Sequence, residues 1–245
     1  MKNLIWLLLL FIPLTLLITS FMKTTQHTKT SLYYLVRPPK IKTENPPLLL
    51  LLHGVGGNEQ NMFSFANELP GEFLVVSARG PLILGSNSYA WFTVNFSNGR
   101  PIINEKQAEN ARVSILEFIQ DLKSKEKFDE KNVFLMGFSQ GGIMSYSTAL
   151  TEPEKIKAIA VMSGRLLPEV KPLIASNERL SKLKVFIAHG SQDNVLQIQY
   201  AYDAFDYLKT KGIAPEFNEY NEDHTINSSM LANVKNWLKK EYLTN

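Results

Sequence analysis

Val133-Phe134-Leu135-Met136-Gly137-Phe138-Ser139-Gln140-Gly141-Gly142 is the stretch whose pattern decides the fold. Its first half is a continuous apolar run, as expected of a strand buried on both faces of a parallel sheet. Its second half fits G-x-S-x-G and opens onto a helix-like segment from Gln140. A strand that turns this sharply into a helix holds a strained residue at the corner. Gly137 and Gly141 relieve crowding on either side, the turn lifts the Ser139 hydroxyl clear of the sheet, and Gly142 leaves room for close packing. The new helix also points its unpaired amides at that hydroxyl. Ser139 is therefore the candidate nucleophile; the competing reading is a Gly-rich turn with an incidental serine.

Working outward, strands are expected over Leu32–Arg37, Leu48–Leu52, Phe73–Ala78, Asn132–Phe138, Ile156–Met162, Lys184–Ala188 and Glu216–Tyr220. Between them, residues 105–123 place Ala108, Ala111, Ile115, Ile119 and Leu122 on one helical stripe, with Asn104 as cap and Gln107 three residues on to complete a capping box. The C-terminal stretch puts Ile226, Met230, Val234, Trp237 and Leu238 on one face. Repeated strand-then-helix units imply an α/β domain, a mostly parallel doubly wound sheet with helices on both faces. Such sheets bind ligands at the carboxyl ends of their strands, so the chemistry belongs there.

The 245 residues, 44% of them hydrophobic, suffice for one well-buried core and not obviously for two. The formal charge of +3 comes from Lys, Glu and Asp spread along the chain without a block of five like charges, which gives nucleic-acid binding no support. There is no cysteine, so disulfides, thiolate metal sites and a cysteine nucleophile are excluded. The histidines and carboxylates do not cluster at metal-ligand spacing either.

A serine hydroxyl needs a base, and histidine suits that role near neutrality. The elbow resembles that of the α/β-hydrolases, and this resemblance implies the chain order Ser, then acid, then His. Two histidines follow Ser139. His189 ends the strand at 184–188 and reads as a structural residue whose ring hydrogen-bonds its loop. Asp193, in the same loop, can orient an imidazole and stabilise its cation. His224 lies after the strand at 216–220, just before the last helix, and can reach across. Asp223 is a competing acid, but an immediate neighbour does not readily bend back to hold the ring. The expected triad is Ser139, Asp193 and His224.

The run Leu48–Leu52 ends in His53-Gly54-Val55-Gly56-Gly57-Asn58. Glycines after a buried strand let backbone amides face a carbonyl oxygen, and the amides of Val55 and Gln140 are the expected oxyanion donors. A dinucleotide fingerprint fails here because Glu59 stands at the third glycine position, and a phosphate loop fails for want of Gly-Lys-Ser/Thr.

His53-Gly54-x-Gly-Gly-Asn58-Glu59, Trp91-Phe92, Gly137-Phe138-Ser139-Gln140-Gly141-Gly142, His189-Gly190-x-x-Asp193 and His224-x-Ile226 together resemble the phospholipase/carboxylesterase family of the α/β-hydrolase fold. The likeness spans residues 47 to 240. It implies the same triad and the same oxyanion amides, with no metal and no organic cofactor. It also implies that Trp91 stands near the acyl pocket, although plain core packing is an equal alternative. The implied reaction is hydrolysis of a small-molecule or lipid-like carboxylic ester through an acyl-enzyme, with thioesters and lysophospholipids as further candidates. The contrasting reading, a catalytically silent relative used for binding, would show the loss of a triad member, and none is lost. Two positions depart from the family: Asp223 stands where it usually has Gly, and Leu196-Gln197 where it usually has Pro, which predicts a looser acid loop.

Ahead of this domain (31–245), Leu4 to Met22 carries no charge. As a helix rising about 1.5 Å per residue it would nearly cross a hydrocarbon core of roughly 30 Å. A secretory signal fits equally: Ser20 can stand at the cleavage position, while Ile18 two residues earlier is not small. Residues 1–22 are thus expected to be a signal peptide or a membrane anchor and 23–30 a linker, with the protein exported or held at the membrane. Lys2 and Lys23 flank both ends, so charge asymmetry sets no orientation.

Overall fold

In the computed structural model, which describes residues 31–95 and 101–244, seven strands form one sheet. In chain order the elements are β1 (Tyr34–Arg37), β2 (Pro47–Leu52), α1 (Glu59–Phe63), β3 (Leu74–Ala78), β4 (Leu82–Gly85), β5 (Ser88–Ala90), β6 (Val94–Asn95), β7 (Ile102–Ile103), α2 (Glu105–Leu122), β8 (Asp129–Phe138), α3 (Gln140–Thr151), β9 (Ala158–Met162), α4 (Asn177–Leu180), β10 (Lys184–Gly190), α5 (Gln199–Thr210), β11 (Glu216–Tyr220) and α6 (Ser228–Leu243). The sheet order is β1-β3-β2-β8-β9-β10-β11. Only β1 runs antiparallel to its neighbour; every other pair is parallel.

The continuous apolar runs are explained by their two-sided burial. Leu48, Leu50 and Leu52 pack into the cluster that takes residues of α2, α3 and α5, including Ile115, Tyr146 and Leu208. Leu49 and Leu51 point the other way, into the cluster with Met62 of α1 and Met230, Val234 and Trp237 of α6. A strand alternates its side chains, so both alternations of β2 must be apolar. Each of the seven expected strands is present, with ends shifted by a few residues.

Two short antiparallel pairs, β4–β5 and β6–β7, stand outside the sheet between β3 and α2 and were not expected. The box expected at α2 is half made. Asn104 Oδ1 accepts from the Gln107 amide (3.1 Å), but the Gln107 side chain turns to Thr93, accepting from its amide and hydroxyl at 2.8 Å. The cap residue's own amide is taken by the Thr93 carbonyl, so Gln107 is free to fasten the chain ahead of β6 instead.

The expected leader at 4–22 and linker at 23–30 lie outside the described residues. Among the described residues no helix is long and apolar enough to cross a membrane.

β2 is flanked by β3 on one side and β8 on the other, so the chain reverses its winding there. A crevice at the carboxyl ends of strands flanking such a switch point is where ligands bind in open α/β sheets. The loops after β2, β8, β9, β10 and β11 all open on that edge.

Candidate active site

β8 runs straight into α3 with Ser139 at the corner, at φ 52° and ψ −116°. A non-glycine residue at positive φ is strained, and here neighbours impose it. A Cβ on Gly141 would lie 2.0 Å from the Leu52 carbonyl oxygen, and one on Gly137 2.2 Å from the Gly141 carbonyl oxygen. Only glycine at both positions lets α3 start so close to β2. The whole of α3 is buried, and its Ser145, Ser147 and Thr151 hydroxyls return to carbonyls one turn back.

The structure brings Ser139, His224 and Asp193 together from three strand ends. Ser139 Oγ lies 2.8 Å from His224 Nε2, and His224 Nδ1 lies 2.6 Å from Asp193 Oδ2. A carboxylate can only accept, so Nδ1 carries the ring proton and Nε2 is left to accept from the serine hydroxyl. The Phe138 ring, 4.9 Å from the imidazole centroid, packs against it.

Asp193 is buried and fully engaged. Its Oδ1 accepts from the amides of Val195 (2.9 Å) and Leu196 (2.8 Å), and its Oδ2 faces His224 and, at 3.3 Å, His189 Nε2. Burial opposes ionisation, but hydrogen bonds from His189, His224 and the Leu196 amide outweigh it and hold the carboxyl well below the usual carboxylate range. His189, wholly buried, also reaches the Leu196 carbonyl at 2.7 Å. The acid loop is therefore pinned at Leu196 from both sides, where the family usually has a proline close by. Main-chain bonds to a carboxylate and a histidine replace ring rigidity. Asp223 does not reach the imidazole in Asp193's place: its carbonyl and that of Glu222 press on Gly190, where a Cβ would meet each at 2.4 Å.

Val55 and Gln140 both line the cavity in front of Ser139. Gln140 opens α3, so its N–H has no intrahelical acceptor. Val55 is directed by its own peptide plane. The Gly54 carbonyl is held by the Gly57 amide (3.1 Å) and by His53 Nδ1 (2.7 Å), and in a trans peptide this sends the Val55 N–H the opposite way. His53 can play this part because Nε2 accepts from the Gly80 amide (2.9 Å), leaving the proton on Nδ1. Burial pushes the His53 pKa down, keeping the ring neutral. Glu59, the residue that broke the dinucleotide pattern, forms a two-pronged ion pair with Arg79 at 2.6 and 2.7 Å.

Trp91 does not line the cavity, and its expected place in the pocket is corrected. It is 0% exposed, its indole donates to the His53 carbonyl (2.9 Å), and the cavity wall is its neighbour Phe92. The reason lies in the Gln140 side chain, whose Oε1 accepts from the Trp91 amide and whose Nε2 donates to the Phe92 carbonyl, both at 2.7 Å. That clamp fixes which of the two aromatic side chains faces inward. Besides Phe92, sequence reasoning missed His53 and Arg165 at this site. His53 could have been found as a buried-strand terminus beside the glycines; Arg165 offered only its position after a buried strand.

A serine on a strand–elbow–helix turn, hydrogen-bonded to a histidine–aspartate pair from later strand ends, is the arrangement of a serine hydrolase of the α/β-hydrolase fold. The family model described as phospholipase/carboxylesterase matches residues 36–242. The chain belongs to the phospholipase/carboxylesterase family and is a carboxylesterase-type hydrolase. It is 28% identical over 206 residues to the carboxylesterase SOBER1 of Arabidopsis thaliana, covering 78% of this chain and 89% of that one. It is 31% identical over 128 residues to acyl-protein thioesterase 1 of Kluyveromyces lactis, covering 51% of this chain and 55% of the relative. The crystal structure of the Bacillus cereus carboxylesterase shares the fold at a TM-score of 0.75 and 23% identity, covering 86% of this chain and 94% of that one.

Proposed function

We propose that this chain cleaves carboxylic esters of small molecules through an acyl-enzyme on Ser139. The observation that carries the reading is the unbroken hydrogen-bond path from Asp193 through His224 to Ser139 Oγ. Ser139 Oγ attacks the ester carbonyl as its proton passes to His224 Nε2, and Asp193 steadies the resulting imidazolium. The carbonyl oxygen gathers negative charge between the Val55 and Gln140 amides, which donate to it. Collapse breaks the bond to the alcohol, which leaves with the proton from His224. A water then gives its proton to the same nitrogen and attacks the acyl-serine, releasing the acid and restoring the hydroxyl. A thioester follows the same route with a thiol leaving group, and the acyl-protein thioesterase relative supports including that class.

The cavity holds about 250 Å³, which favours short acyl chains. In a series of nitrophenyl esters from acetate to palmitate, turnover is expected to be highest among the short members and to fall steeply once the chain outgrows the cavity. No turnover across the whole series by folded protein contradicts the proposal.

We also propose that residues 4–22 direct export or anchor the protein at a membrane, supported by their uncharged run between Lys2 and Lys23. Mass spectrometry of the mature protein is expected to find either a start near Phe21 or an intact N-terminus in the membrane fraction. Intact protein free in the cytosol overturns both forms.

A further inference from the structure

The cavity in front of Ser139 is walled by apolar side chains, among them Phe92, Val94, Ile103 and Ile143, with one cation, Arg165. Arg165 follows β9 and is only 8% exposed. Every other arginine of the described residues has at least two of its guanidinium nitrogens hydrogen-bonded at 3.1 Å or less. Arg37 serves the carbonyls of Pro38, Ala66, Pro70 and Phe73, while Arg79, Arg112 and Arg179 pair two-pronged with Glu59, Glu109 and Glu154. Arg165 instead makes a long contact from Nη2 to the Pro101 carbonyl (3.4 Å) and lies 5.5 Å from the centre of the Tyr200 ring. Its Nε is buried with no partner. No described carboxylate pairs with it, and residues 1–30 and 96–100 contain no Asp or Glu.

A guanidinium cannot shed its proton, so a buried one without a counter-ion is costly until an anion arrives. Its planar fork of donors matches a carboxylate two-prong. Ser139 and Gln140 line this cavity and not the second one beside it, so it is taken as the acyl side. A second cavity, about 310 Å³, lies beyond Phe138 and His224 against Met62, Phe65 and Ile226 and does not include Ser139. His224, which must hand the leaving alcohol its proton, lines both cavities, so the second is left for the alcohol because the first is filled by the acyl group.

We propose that Arg165 receives a carboxylate at the far end of the acyl group, so that the preferred substrates are half-esters of short dicarboxylic acids. This rests on the esterase reading. Cleavage is the hydrolysis written above: water enters, the alcohol leaves, and the dicarboxylate is released with no other reactant.

The test compares monomethyl glutarate, methyl pentanoate and 3-acetoxypropanoate, which carry the carboxylate on the acyl side, nowhere, and on the alcohol side. Wild type is expected to favour monomethyl glutarate over methyl pentanoate by about tenfold or more in kcat/KM. Free glutarate should compete with methyl pentanoate in the wild type, which decides the matter even if a variant fails to fold. Arg165→Met should lose about 30-fold or more on the half-ester and gain on methyl pentanoate, reversing the preference. The proposal is overturned if wild type does not prefer the half-ester, if it prefers 3-acetoxypropanoate, or if Arg165→Met lowers both esters in proportion. Turnover of none of the three by folded wild type removes the esterase reading, and this proposal with it.

Discussion

Ser139→Ala is expected to lower ester turnover by about 10⁴-fold or more while leaving the protein folded. The size of the effect follows from the geometry. Among the described residues, the Ser139 hydroxyl is the nucleophile within hydrogen-bond distance of His224 Nε2, at 2.8 Å. Its removal deletes the covalent step and leaves only the binding and electrostatic help of the cavity and its amides. The fold should tolerate the change because the backbone at this corner is imposed by the approach of Gly137 and Gly141 to their neighbours, and that approach is unaffected. Initial rates on a nitrophenyl ester, with circular dichroism to confirm folding, measure it. A folded variant that keeps a tenth of the wild-type rate rules Ser139 out as nucleophile.

His224→Ala should be nearly as damaging, and His189→Ala should not. The two imidazoles both approach Asp193 Oδ2, at 2.6 and 3.3 Å, but only His224 also meets Ser139. His189 spends its Nε2 on the Leu196 carbonyl and is wholly buried at the end of β10, so it has no path to the substrate. Its loss frees a buried carbonyl and one side of the acid loop, which lowers stability and misplaces Asp193. A rate loss of roughly 10- to 100-fold and a lower melting temperature are expected for it. The double variant Ser139→Ala/His224→Ala should be no slower than either single one, since the members act as a unit. A near-normal His224→Ala beside a dead but folded His189→Ala would reverse the assignment of the base.

The parts of this molecule that could be read from sequence are those that local pattern dictates. Strands buried on both faces, such as Leu48–Leu52, announce themselves by unbroken apolar runs, and chain order places Ser139, Asp193 and His224 at strand ends. The early start of β8 was hidden because Asp129–Lys131 are polar; Asp129 pairs with Pro47, and a register irregularity separates that pair from Leu48–Val133. α5 was not anticipated although its pattern is amphipathic: Ala201, Ala204 and Leu208 form the buried stripe, with Tyr200, Phe205 and Tyr207 packed beside it. The two short strand pairs depend on tertiary bonds such as that of Gln107 to Thr93, which no periodicity records. The same limit applies within the site. Whether Trp91 or Phe92 faces the cavity is set by the Gln140 side chain from 48 or 49 positions away along the chain. The meaning of Arg165 lies in the partner it lacks, and a missing partner is visible only once the surroundings are folded around it.

The most direct measurement is covalent labelling of the intact protein with a fluorophosphonate, followed by mass spectrometry of its peptides. A single adduct on Ser139 is predicted for the wild type, with none on Ser139→Ala and greatly slowed labelling of His224→Ala, because the probe needs a serine oxygen deprotonated by its neighbour. An adduct on another residue, or undiminished labelling of folded Ser139→Ala, would contradict the assignment of Ser139 as the nucleophile.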